Sequence, residues 1–109
     1  MKKLAALASL LALVVALAVL AVPALAATHS VTIKDNTFGK STLSVAKGTT
    51  VKWNFKGSNP HNVTVTSGPV KFHSPTKDSG SFSRKLTRAG TYKIVCTIHS
   101  GMHMTVKVG

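Results

Sequence analysis

From Val31 onward the apolar residues of this 109-residue chain recur at every second position, and no other feature constrains the fold so tightly. Val31 and Ile33 alternate with Thr32 and Lys34, and Leu43 and Val45 repeat the spacing. In TVKWNFK, Val51, Trp53 and Phe55 fall on one side of an extended chain, and Lys52, Asn54 and Lys56 on the other. The same phase joins His61 to Val63 and Val65, Tyr92 to Ile94 and Cys96, and Val106 to Val108, while Phe82 and Leu86 mark one more strand. Turn-forming residues separate these runs at Lys47-Gly48, Gly57-Ser58-Asn59-Pro60, Gly68-Pro69, Asp78-Ser79-Gly80 and Ala89-Gly90. No helical stripe and no repeat accompanies them. The pattern predicts an all-β domain of about seven or eight short strands, an antiparallel β-sandwich or barrel. Residues 67–81 are the least regular and are expected to form a long surface connection.

The N-terminal stretch has a different composition. Lys2 and Lys3 precede an uncharged run from Leu4 to Val22, then Pro23 and the small-residue site Ala24-Leu25-Ala26. This is the pattern of a secretory signal helix over 1–26, cut after Ala26 to leave a domain of 27–109. The run also reaches the length that spans a bilayer, so an uncleaved N-terminal anchor is the alternative. Either route places the domain in the periplasm or on the outer face of a membrane. A domain this small buries only roughly 60–65% of its unfolded surface. Small exported domains often add disulfides, yet Cys96 is the single cysteine and has no partner within the chain. A bound metal would occupy that thiol and contribute to folding.

Of the 14 Lys and Arg, two precede residue 27; the remaining 12 face only Asp35 and Asp78, a net charge of +10. They are spread evenly from Lys34 to Lys107. Such a coat favours solubility, and it attracts an acidic protein partner or an anionic membrane surface. Nucleic acid is not an expected partner, because the chain is exported and has neither a basic helix nor an aromatic-rich binding motif. We expect a monomer.

The stretch CTIHSGMHM, Cys96 to Met104, holds the only cysteine, two of the five histidines and two of the three methionines. His61 and Cys96 are each in phase with core residues, so two soft donors face inward at strand ends. His99 follows three residues after Cys96, and Met102 three after that. Taken singly, each has an ordinary structural role: a hydrogen-bonded core histidine, a buried cysteine, a core methionine. Taken together they select a soft or borderline ion. A thiolate, two imidazoles and a weak thioether suit copper. Zinc prefers four strong ligands, iron–sulfur clusters need more cysteines, and the oxygen-loving ions would need carboxylates that are not near this stretch.

PHNV (Pro60 to Val63), followed some thirty residues later by YKIVCTIHSGM (Tyr92 to Met102), resembles the small blue copper proteins, the cupredoxins, and most of all their plastocyanin and amicyanin branch. TLSVAKGTTVKWNF (Thr42 to Phe55) is similar to the strand pair before the first ligand in that branch, and the resemblance covers nearly all of 29–109. It implies a Greek-key β-sandwich with one type 1 copper ion held by His61, Cys96, His99 and Met102. Family members place the axial methionine three or five residues after the histidine, so Met104 is the alternative; its phase with Val106 and Val108 argues for a core role. Ser100 stands where family loops often carry proline. Asn62, beside a ligand, is the candidate for tying the two ligand loops together.

The implied function is a one-electron carrier between redox partners. Electrons would leave through the exposed edge of His99, with Pro60, Gly101 and Met102 around it. Too few donors remain for a second copper cluster, so substrate oxidation, and hence an enzyme, is not expected. A copper-handling carrier or scavenger is the alternative function, and a metal-free partner-binding sandwich is the third. Cleavage after Ala26 would also create the terminus Ala27-Thr28-His29, whose amine, amides and imidazole could wrap Cu(II) in a square plane, a second copper site at His29. His73 and His103 are expected to be ordinary surface histidines.

Overall fold

A computed structural model describes residues 27–109, so the expected signal helix or anchor lies outside the described residues. Eight strands are present: β1 (Thr28–Lys34), β2 (Thr37–Phe38), β3 (Thr42–Val45), β4 (Thr50–Phe55), β5 (Thr64–Ser67), β6 (Ser81–Lys85), β7 (Gly90–Val95) and β8 (His103–Val108). They form two four-stranded sheets, ordered β2-β1-β4-β6 and β3-β8-β7-β5. The all-β sandwich read from the sequence is the observed fold.

The strand sequences explain the layers. Residues with alternate phase enter the space between the sheets: Val31 and Ile33 from β1, Val51, Trp53 and Phe55 from β4, Tyr92 and Ile94 from β7, and Met104, Val106 and Val108 from β8, all buried. Threonine, serine and lysine occupy the outward positions. Pairing is not wholly antiparallel, however. β1 runs parallel to β4, with Val31 opposite Trp53, and β3 runs parallel to β8, with Leu43 opposite Val106. The chain leaves the first sheet after β2, contributes β3 to the second, and returns as β4 beside β1. A strand that comes back after crossing to the other sheet keeps its original direction, and alternation alone carries no information on that choice.

Residues 68–80 depart from the expected surface connection. His73 bridges Thr64 and Lys77 bridges His61, so the segment is tied to the start of β5. Phe72 enters the core, its ring centroid 6.3 Å from Trp53 and 6.4 Å from Tyr92. Such offset aromatic contacts add to the energy of burial.

Local hydrogen bonds and turns fix the sandwich at both of its ends. The hydroxyl of Tyr92 donates to the carbonyl of Arg88 at 2.7 Å, which anchors the entry of β7 at the end of that strand away from Cys96. At the end that carries His61, the turn Asp35-Asn36 after β1 closes a hairpin with Lys34 opposite Thr37. Asn36 takes φ 63°, a left-handed conformation that asparagine tolerates.

Candidate metal centre

His61 lies between β4 and β5, where its N–H and C=O both pair with Lys77 at 2.9 Å. That pair of hydrogen bonds and the phase with Val63 turn the imidazole inward, and it is fully buried. Cys96 directly follows β7 and continues the inward phase of Tyr92 and Ile94; its thiol is buried and free. His99 comes from the tight loop after Cys96. Cys96 N–H donates to Met102 C=O at 3.0 Å and Met102 N–H to His99 C=O at 3.3 Å, closing the loop on itself. Gly101 takes φ 79° in this turn, a conformation glycine adopts without cost.

The three donor atoms converge. Nδ1 of His61 is 3.1 Å from Nδ1 of His99, Cys96 Sγ is 3.5 Å from Nδ1 of His99, and Cys96 Sγ is 3.9 Å from Nδ1 of His61. The triangle with these three sides has a circumradius of about 2 Å. One point inside it is therefore at bonding distance from both nitrogens and close to bonding distance from the sulfur, since first-row metals bind imidazole nitrogen at about 2.0–2.1 Å and thiolate sulfur at about 2.3 Å. No carboxylate belongs to this cluster. The donor set and its spacing fit a soft or borderline ion in a trigonal arrangement.

The two methionines part company here. Met102 is 2% exposed and stands at the closure of the same loop as His99. Met104 lies in β8 opposite Ile94, and its sulfur accepts a hydrogen bond from Nε1 of Trp53 at 3.4 Å. A buried indole N–H needs an acceptor, and the thioether is the one it has. Met104 thus has the core role that its phase with Val106 and Val108 indicated.

Asn62 links the two ligand-bearing segments. Its Nδ2 donates to Thr97 Oγ1 at 2.8 Å, and its Oδ1 accepts from Thr97 N–H at 3.2 Å and from Thr64 Oγ1 at 2.8 Å. Residues one step beyond each inward donor are thereby joined. On the solvent side, the sequence expectation needs a correction. Met102 is enclosed and contributes nothing to the surface around His99. The apolar exposed residue beside it is Ile98, 50% exposed and the only large hydrophobic so placed among the described residues. Ile98 has the parity of Tyr92, Ile94 and Cys96, so phase pointed it inward; only its place in the loop after β7 ends at Val95 signalled its exposure.

His29 is not brought to this cluster. It sits in β1 opposite Val51, at the far end of the strand from Asp35. A square-planar wrap around residues 27–29 would use backbone nitrogens of Thr28 and His29, and these residues are in the ladder with β4. His73 and His103 are exposed, as expected.

The sequence reading places Asp35, like Asp78, away from the cluster, and here it needs a correction. Its Oδ1 accepts from Asn59 N–H at 2.8 Å and lies 3.5 Å from Nε2 of His61. The Asn59 and Ser58 amides, with a smaller contribution from His61, hold its carboxyl below the ordinary carboxylate range.

The sequence pattern of the copper-binding proteins of the plastocyanin/azurin family matches residues 26–109. A search of curated proteins returns no match. Among solved structures, the reduced state of an amicyanin variant is 31% identical, with 75% of this chain and 82% of that one covered and a TM-score of 0.68. A purple cupredoxin from Nitrosopumilus maritimus is 23% identical over 74% of this chain and 99% of its own, TM-score 0.67. A copper-containing nitrite reductase from Thermus scotoductus is 24% identical over 81% of this chain but only 23% of its own, TM-score 0.66. At such identities the last two share the fold.

Proposed function

This chain belongs to the plastocyanin/azurin family of copper-binding proteins, and on that premise we propose that it is an exported one-electron carrier, not an enzyme. The proposed ligands are His61, Cys96, His99 and Met102, the last as the weak axial donor. The observation that carries the reading is the triangle of His61, Cys96 and His99, whose common point is about 2 Å from each donor. Bound copper would supply the Cu(I)/Cu(II) couple.

The residues of the chain do the rest. Cys96 must be a thiolate and both imidazoles neutral, so loading releases protons. Strand pairing around His61 and Cys96, and the Asn62–Thr97 link between them, hold the donors in one arrangement without help from the metal. A donor set that is fixed beforehand reorganises little when the charge at its centre changes. Met104, committed to Trp53, leaves Met102 as the sulfur free to approach from the loop.

The partner is proposed to be a redox protein with an acidic docking surface. The half-buried His99 edge, with Ile98 exposed beside it and Ser100 and Gly101 uncharged, offers a small apolar contact. Around it, a net charge of +10 over residues 27–109 steers an acidic surface, or an anionic membrane face, toward the protein. Export rests on the leader pattern over 1–26, which leaves residues 27–109 as the copper domain, working as a monomer in the periplasm or outside the cell.

Stopped-flow reduction and reoxidation test this function. Fast cycling with copper retained, and an association rate that falls as salt rises, is the expected outcome. Transfer of the metal to an apo-acceptor instead would make the protein a copper carrier rather than an electron carrier.

A further inference from the structure

Asp35 and Asp78 are the only carboxylate side chains in the sequence, and one of them stands against a buried histidine of the centre. Asp35 occupies the turn between β1 and β2, far from the ligands in sequence. Space for its carboxylate exists because residue 57 is glycine: a Cβ there would overlap Asp35 Oδ1. On the other side, Nε2 of His61 is enclosed and has no hydrogen bond of proper geometry. At 3.5 Å the Asp35 contact is long for a hydrogen bond, so its effect is chiefly electrostatic.

We infer that Asp35 is a positioning residue of the metal centre: its carboxylate holds His61 protonated on Nε2, leaves the Nδ1 lone pair directed at Cys96 and His99, and favours the more highly charged state of the bound ion. The inference rests on the copper reading above. A neutral imidazole carries one proton on one of its two nitrogens. Placed on Nδ1, that proton would leave the Nε2 lone pair facing a carboxylate oxygen at 3.5 Å, which is repulsive. Placed on Nε2, it turns the N–H dipole toward Asp35. In the metal-free protein His99 then donates from its Nδ1 to Nδ1 of His61 across 3.1 Å. A carboxylate behind a ligating histidine fixes the ring and raises its basicity. Its negative charge also stabilises Cu(II) over Cu(I).

Two charge-removing variants separate this role from a general field effect. Asp35→Asn keeps a turn-compatible side chain, and Asp78→Asn removes the same charge at an exposed site outside the cluster. Asp35→Asn is expected to weaken Cu(II) binding relative to Cu(I) by about tenfold, which raises the reduction potential by about 59 mV. Asp78→Asn should shift it much less. Gly57→Ala, which displaces the carboxylate without removing it, should move the potential in the same direction as Asp35→Asn. In the metal-free native protein, ¹⁵N shifts should show His61 carrying a proton on Nε2 and a lone pair on Nδ1.

A blue protein in which Asp35→Asn shifts the potential no more than Asp78→Asn would overturn the inference, as would a His61 protonated on Nδ1. Copper uptake by the native chain without a blue band is a different failure. It sinks the copper-centre reading, and the metal-free tautomer measurement still decides the role of Asp35. Should Asp35→Asn not fold, Gly57→Ala and the tautomer carry the test.

Discussion

His61 and Cys96 reach the centre from segments that lead into β5 and out of β7 of the second sheet, whereas His99 and Met102 stand on a loop that is closed only by its own backbone. The first pair is held by the two backbone hydrogen bonds between His61 and Lys77 and by the Asn62 link. The second pair depends on two backbone hydrogen bonds and on a left-handed glycine. The difference shows where the fold specifies chemistry and where local backbone does. Changes in the strand-held half should remove the site or destabilise the domain, and changes in the loop-held half should retune it.

Substitutions can break or sharpen that contrast. Cys96→Ser should have the largest effect, complete loss of the thiolate-to-copper absorption, read by a visible spectrum; a retained band would show that the strand-held sulfur is not a ligand. Asn62→Ala leaves the Thr97 N–H without its acceptor and unties the two halves. It should cost about 1–3 kcal/mol in urea unfolding of the metal-free protein. Gly101→Ala puts a Cβ where nothing lies within 4 Å, so its cost is conformational alone. About 1–2 kcal/mol in the same assay is expected, with the blue band kept. A Gly101→Ala effect well above that of Asn62→Ala would reverse the assignment of rigid and adjustable halves.

The methionines give the smallest and most discriminating effects. Met102→Leu should keep the colour and raise the reduction potential, because a weak axial donor tunes the couple without making the band. Met104→Leu should leave the potential nearly unchanged and cost under about 1.5 kcal/mol of stability, since it swaps volume for volume in the core. Voltammetry of both variants decides it: a potential shift in Met104→Leu alone would move the axial role to β8.

Much of this was legible in the alternation of the sequence. Phase alone turned His61 and Cys96 inward and put Met104 in the core, because a pleated strand leaves a side chain only two faces. Spacing did the same for the loop that brings His99 back beside Cys96. What alternation does not encode is which strands become neighbours, so the parallel pairs β1–β4 and β3–β8 had no signal. Phe72 was hidden because it is a single core residue in a segment without period. Asp35 was hidden for a related reason: its partner is 26 residues away, and only the hairpin turn and Gly57 bring them together. Trp53 explains Met104 through a contact across the core that no local pattern announces.

Titration of the metal-free protein with Cu(II), followed by its visible spectrum, tests the central claim most directly. Convergence of His61, Cys96 and His99 on one point predicts an intense blue band that saturates at a single equivalent of copper. A protein that takes up Cu(II) and stays colourless while oxidised would contradict it.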